Sequence, residues 1–131
     1  MSERGKIRSE KYARQQVRWP SMRWGNITPT DIDGALDFGD RLYIFFEVKH
    51  ISSHLNTGQR LLLERMCKRI NDSGAVSVAL VAQHYEDRDH VILENCILDE
   101  YWYFGEWHKP RDIVTIERCV DTLYTKHIKP L

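Results

Sequence analysis

The sequence, 131 residues long, predicts an α/β domain: a mixed sheet flanked by helices, with a core order of helix, hairpin, helix, strand. Three observations predict it. Two apolar strands meet at a Gly39-Asp40 turn signal; a helix with an apolar stripe at 3.6-residue spacing follows; and after it comes AVSVALVA, a short β-branched run typical of a strand buried on both faces. A helix between two such strands implies a crossover connection. The length suits one domain, residues 1–131, able to bury its apolar surface without staples.

Taken in order, residues 6–19 contain helix formers and neither Gly nor Pro, and Pro20 stops them, which predicts a first helix. The loop SMRWGNITPT follows. Residues 32–38 and 41–50 read as the two hairpin strands. After the polar loop ISSHLNTG, residues 59–70 form a helix whose stripe is Gln59, Leu63, Met66 and Ile70, and Asn71-Asp72-Ser73-Gly74 ends it. Residues 75–82 are the buried strand. Residues 90–98 and 101–107 read as further strands and 112–126 as a last helix or helix-like tail. The aromatic run 101–107 reads as a strand with one face in the core and the other an exposed patch.

Composition narrows the function classes. Apolar residues make up 42% and charged residues 29%, and no stretch approaches the roughly 18 apolar residues of a membrane span. The N-terminus lacks the apolar core of a secretory signal, so a cytoplasmic setting is expected and no membrane partner. Cys67, Cys96 and Cys119 are odd in number and widely spaced, which predicts reduced, mostly buried thiols rather than a disulfide framework or zinc site. No Gly-rich phosphate loop is present, so no nucleotide cofactor is expected.

The net charge of zero conceals an uneven distribution. Residues 1–23 hold seven Lys or Arg against two Glu, an excess of five positive charges, whereas residues 84–106 hold seven acids against Arg88. Solvated faces explain such runs most simply. The alternative is a basic arm, with Arg8, Lys11 and Arg14, that tracks a phosphate backbone.

Chemistry concentrates at the end of the second hairpin strand. Residues two apart share a strand face, so Leu42, Ile44, Phe46 and Val48 form a wholly apolar face, while Tyr43, Phe45, Glu47 and Lys49 form one that begins aromatic and ends charged. A same-face ion pair would account for Glu47 and Lys49 alone. Upstream, Asp31, Asp33 and Asp37 share one parity, so either of the first two could lie across from Glu47. Two carboxylates beside a main-chain carbonyl make a hard oxygen site for Mg²⁺, and a nearby Lys adds fixed positive charge. That set suits hydrolysis of a phosphodiester.

At these residues the sequence resembles the PD-(D/E)XK nuclease superfamily, the restriction-endonuclease-like fold that includes Holliday-junction resolvases and small phage nucleases. Asp33, thirteen intervening residues and then Glu47-Val48-Lys49 at the end of an apolar strand match its acid followed by E-x-K. The resemblance covers roughly residues 8–82. It implies Mg²⁺, replaceable by Mn²⁺, held by Asp33, Glu47 and the Val48 carbonyl, with Lys49 positioning the nucleophile. Gln59 fits the Gln that many members carry on the helix after E-x-K, and Glu10 fits a Glu on the first helix. The implied activity is a DNA endonuclease, its target a junction, flap, nick or duplex site; two symmetric cuts in a branched target would imply a homodimer.

Register decides whether this site can form. A strict two-residue turn at Gly39-Asp40 pairs Asp33 with Phe46 and turns it to the wrong face. A three-residue loop of Gly39, Asp40 and Arg41, or a bulge near Gly34, pairs Asp33 with Glu47. Gln59 has two readings, a helix cap or a supporting residue of the site. His50 and His54 read as solvated loop residues. The rival functional readings are a catalytically silent nucleic-acid-binding or interaction module on the same fold, and a metal-free domain in which Glu47 and Lys49 merely pair.

Overall fold

Residues 17–87 and 90–129 are described by the computed structural model. Strand β1 (Gly34–Phe38) runs antiparallel to β2 (Leu42–His50). Helix α1 (Thr57–Asp72) then crosses over to β3 (Val76–His84), which lies parallel to β2. A 3-10 turn (Leu93–Asn95) leads to β4 (Ile97–Tyr103) and β5 (Glu106–His108), each antiparallel to the preceding strand, and helix α2 (Ile116–His127) follows. The described residues thus form an α/β fold with one mixed sheet of five strands in the order β1-β2-β3-β4-β5.

Strand parity sorts the core into two layers. Leu42, Ile44 and Phe46 of β2 join Val78, Leu80 and Ala82 of β3 on one face, under Ile116 and Leu123 of α2. On the other face Ala79 and Trp102, with Phe45 at their margin, pack against Leu63 and Cys67 of α1. Because β3 is covered on both sides it reads as an unbroken apolar run, and the residues from Ser77 to Ala82 are all buried. The α1 stripe centres on Gln59, Leu63 and Cys67, with Met66 and Ile70 half-buried beside it.

Two local devices set the registers. In the β1–β2 connection the Arg41 N–H donates to the Phe38 carbonyl across Gly39 and Asp40, whose φ angles of 61° and 63° suit a primed hairpin turn. Asp37 Oδ1 accepts the Asp40 N–H at 2.7 Å and steadies it. Yet Phe38 pairs with Leu42, not Arg41, so Arg41 is one residue extra and the connection behaves as the three-residue loop. Arg41 puts the spare group to use, since its carbonyl accepts the Val76 N–H at the start of β3. In β4 a bulge falls at Asp99, because Val81 pairs with Glu100 while Ala82 pairs with Leu98. It turns Leu98 toward α2 and leaves Glu100 and Trp102 facing α1.

Several element bounds differ from the sequence expectation. The helix over 6–19 lies outside the described residues except for residues 17–19, which are not helical. β1 begins at Gly34 instead of 32, where Asp33 leaves the ladder to cap β2. The strand expected over 90–98 is replaced by the 3-10 turn, and a single strand spans 97–103, ended by Phe104 and Gly105 at positive φ. The acids of 84–106 are not uniformly solvated either: Glu100 is buried. Cys67 and Cys96 are buried and Cys119 half-buried, all three as free thiols, and burial pushes Cys67 and Cys119 up to about 11. Among the described residues no helix is long and apolar enough to cross a membrane.

Candidate active site

The odd register brings the two acids together. With Gly34 opposite Phe46, the next position outward sets Asp33 level with Glu47, on the α1 face. Asp33 Oδ2 accepts the backbone N–H of Val48 at 2.7 Å, in the place that another β1 residue would occupy. In an antiparallel pair the N–H and C=O of one residue point to the same neighbour, so the Val48 carbonyl projects toward the Asp33 side too. Asp33 itself is exposed, which leaves this edge of the sheet open to a ligand.

Glu47 sits deeper, only 4% exposed between the sheet and the start of α1. Lys49 Nζ lies 3.4 Å from Glu47 Oε1, as the shared strand face requires. The Gln59 amide donates from Nε2 to the same oxygen at 2.9 Å. Burial, and then the negative charge of Asp33, push the Glu47 carboxyl up to about 7, with Lys49 pulling the other way. Crowded, poorly hydrated negative charge of this kind is relieved by a cation.

Gln59 caps the helix and also contacts Glu47. Its Oε1 accepts the Asn56 N–H at 3.3 Å while Asn56 Oδ1 accepts the Gln59 N–H at 2.8 Å, a reciprocal capping box at the head of α1. The other end of the same amide reaches Glu47. The expectation of a supporting residue that is not a cap is thus corrected, since Gln59 does cap the helix, and its Oε1 bond to the Asn56 N–H orients the amide.

A second buried acid lies on the same face. Glu47 pairs with Val81 and Val81 with Glu100, so Asp33, Glu47 and Glu100 lie along one row across the sheet. Glu100, 8% exposed, is bound by Arg60 Nη2 at 2.5 Å and lies 3.8 Å from Lys109 Nζ. Arg60 also stacks over Trp107, 4.5 Å from the ring centroid, and the Trp107 indole donates to Glu64 Oε1 at 2.6 Å. Residues 59 and 60 thus tie the head of α1 to β2 and β4 in turn. Sequence reasoning missed Arg60, Glu100 and Lys109 because only the β4 bulge aims Glu100 inward; the capping box was legible in Asn56-x-x-Gln59.

His54 is an exposed loop residue, as expected, whereas His50 is placed differently. His50 is the last residue of β2, packed edge-on against His84 with ring centroids 5.3 Å apart, its Nδ1 2.8 Å from Ser52 Oγ and its Nε2 3.5 Å from Asp87. Both rings belong to the α2 face by parity, away from Glu47. Arg8, Lys11, Arg14 and Glu10 lie outside the described residues.

Among the described residues no cluster of three His, Cys, Asp or Glu side chains is arranged to hold a metal. Asp33 and Glu47 would hold one only with the Val48 carbonyl as third protein donor. All of these donors are oxygens, so the donor set fits a hard divalent cation such as Mg²⁺. Compared with known proteins, the chain matches no family model, no curated protein and no solved structure.

Proposed function

We propose that this chain is a metal-dependent DNA endonuclease of restriction-endonuclease-like fold, hydrolysing phosphodiesters at Asp33, Glu47, Val48 and Lys49. The observation that carries the reading is the convergence made by the odd hairpin register: an exposed and a buried carboxylate side by side, with a lysine on the same face and a carbonyl on the same edge. A plain ion pair between Glu47 and Lys49 would require neither Asp33 beside them nor Gln59 bound to the same oxygen.

Asp33, Glu47 and the Val48 carbonyl would hold Mg²⁺ or Mn²⁺, which when bound lowers the pKa of water and offsets charge growing on the phosphate. The protein groups supply the remainder. Gln59 holds Glu47 in one orientation, so the ligand geometry is set before substrate arrives. Lys49, with a side chain 21% exposed, keeps a fixed positive charge at the mouth of the site, placed for a phosphate oxygen or the attacking water. The basic sequence around Arg8, Lys11 and Arg14 would add affinity independent of base sequence.

Cleavage of a panel of branched, single-stranded, nicked and duplex DNA, with RNA counterparts, tests the proposal in Mg²⁺, Mn²⁺ and EDTA. Cutting that needs the divalent ion and disappears in Glu47→Gln and Lys49→Ala is the expected result. Binding without cutting under every condition would select the catalytically silent module instead.

A further inference from the structure

Upstream of the site lies a short structured turn that the proposed chemistry leaves unused. Trp24 and Ile27 exchange both backbone hydrogen bonds, at 2.9 and 3.0 Å, around Gly25 and Asn26, with Gly25 at φ 62°. This is a two-residue hairpin tip. Directly paired residues carry their side chains on one side of a ribbon, so the indole and the isoleucine stand together. Neither is covered: Trp24 is 67% and Ile27 72% exposed, and Met22 nearby is 50% exposed.

The surroundings choose the partner. Arg18 and Arg23 precede the tip and are exposed, and residues 17–30 contain no acid. An aromatic plane on a stiff turn next to cations suits a polyanion that also offers flat apolar faces, which describes a nucleic acid with an unstacked base. Asp33 lies six positions after Ile27, a reach of at most about 20 Å, so anything held at the tip stays within a few nucleotides of the acids.

Resting on the nuclease reading, we infer that Trp24 stacks on an unpaired base of the DNA substrate near the cut phosphate, with Arg18 and Arg23 on its backbone. The preferred substrate is then DNA with a gap, flap or open junction rather than intact duplex, because a paired base is stacked already and must be torn from its neighbours to reach the indole.

Binding measured in EDTA, where no cleavage occurs, tests this apart from catalysis. Fluorescent intact duplex, the same duplex with a three-nucleotide gap, and the gapped duplex with RNA in its single-stranded part are titrated with wild type, Trp24→Ala, Trp24→Phe and Arg23→Gln. Wild type should prefer the DNA gap to intact duplex by about tenfold or more. Trp24→Ala should lose that preference while keeping its affinity for intact duplex, and Trp24→Phe should retain most of it. Arg23→Gln should weaken binding to every substrate and reduce the salt slope by just under one unit. An unchanged preference in Trp24→Ala overturns the inference, as does tighter Trp24-dependent binding to the RNA form. Wild-type self-association in sedimentation that Trp24→Ala abolishes would assign the tip to a second copy and overturn it too. A chain that binds gapped DNA through Trp24 yet cuts nothing would remove the nuclease reading alone; one that cuts with no role for Trp24 would remove this inference alone.

Discussion

Asp33 Oδ2 accepts the Val48 backbone N–H at 2.7 Å, so the first acid of the candidate site is fastened to the strand that carries the second. The bond matters because β1 begins only at Gly34, and without it the 33 side chain would hang from a loop. It also distinguishes Asp33 from Asp31, two residues farther from the ladder.

Loss of either acid should therefore remove catalysis without unfolding the domain. Asp33→Ala, Glu47→Gln and Lys49→Ala are each expected to slow cleavage on the order of 10³-fold or more with circular dichroism unchanged. Asp31→Ala should be much milder, and a larger loss there than at Asp33 would transfer the ligand role.

The capping box and the site can be separated through its two members. Asn56→Ala removes the side-chain half of the cap but keeps the backbone N–H that Gln59 Oε1 accepts, so the amide stays aimed at Glu47 and the variant should cost about 1 kcal/mol of stability with a near-normal rate. Gln59→Ala removes both contacts and should lose similar stability, plus about 10- to 100-fold in rate. Equal rate losses in the two variants would mean that Gln59 acts only by holding the helix end in place.

Glu47 makes metal-free stability fall as pH rises. Its carboxyl is raised to about 7 in the folded protein by burial and Asp33, against the ordinary 4.5 of an unfolded chain. The folded state thus keeps a proton that the unfolded state has already lost, and the stability this provides is complete below about 4.5 and lost as pH climbs through about 7. Chemical denaturation in EDTA should show a decline of roughly 2 to 3 kcal/mol over that window. Glu47→Gln should flatten the decline and Mg²⁺ should oppose it; a wild-type profile rising with pH through the same window would contradict the charge crowding.

Arg60 and Glu100 should respond unequally to mutation. The Arg60 side chain is 35% exposed and can turn to water if its partner is neutralised, whereas the Glu100 side chain is 10% exposed and cannot. Arg60→Met should accordingly cost about 3 kcal/mol, because it leaves a buried carboxylate with only the more distant Lys109, and Glu100→Gln about 1 kcal/mol. Urea unfolding of both variants checks the order, and the reverse order would show that Glu100 reaches solvent.

Much of this arrangement is set by residues next to each other in the chain. Strand parity alone puts Glu47 and Lys49 on one face and Leu42, Ile44 and Phe46 on the other, because backbone geometry alternates side chains whatever the strand pairs with. Apolar period likewise marks α1 and β3, each buried deeply enough for its pattern to be unambiguous. What local pattern leaves open is how many residues a connection or a strand absorbs. Arg41 can close a two-residue turn or be the spare residue in a longer one; the choice follows from where its carbonyl meets Val76 and from which β1 side chains must face Phe46, and both depend on strands that only the folded sheet brings together. The bulge at Asp99 is a decision of the same kind. It turns Leu98 into one core layer and Glu100 and Trp102 into the other, so a strand whose alternation looks regular in sequence changes face halfway along, and the Arg60–Glu100 pair exists only because two cores, one on each side of the sheet, had to be filled at once.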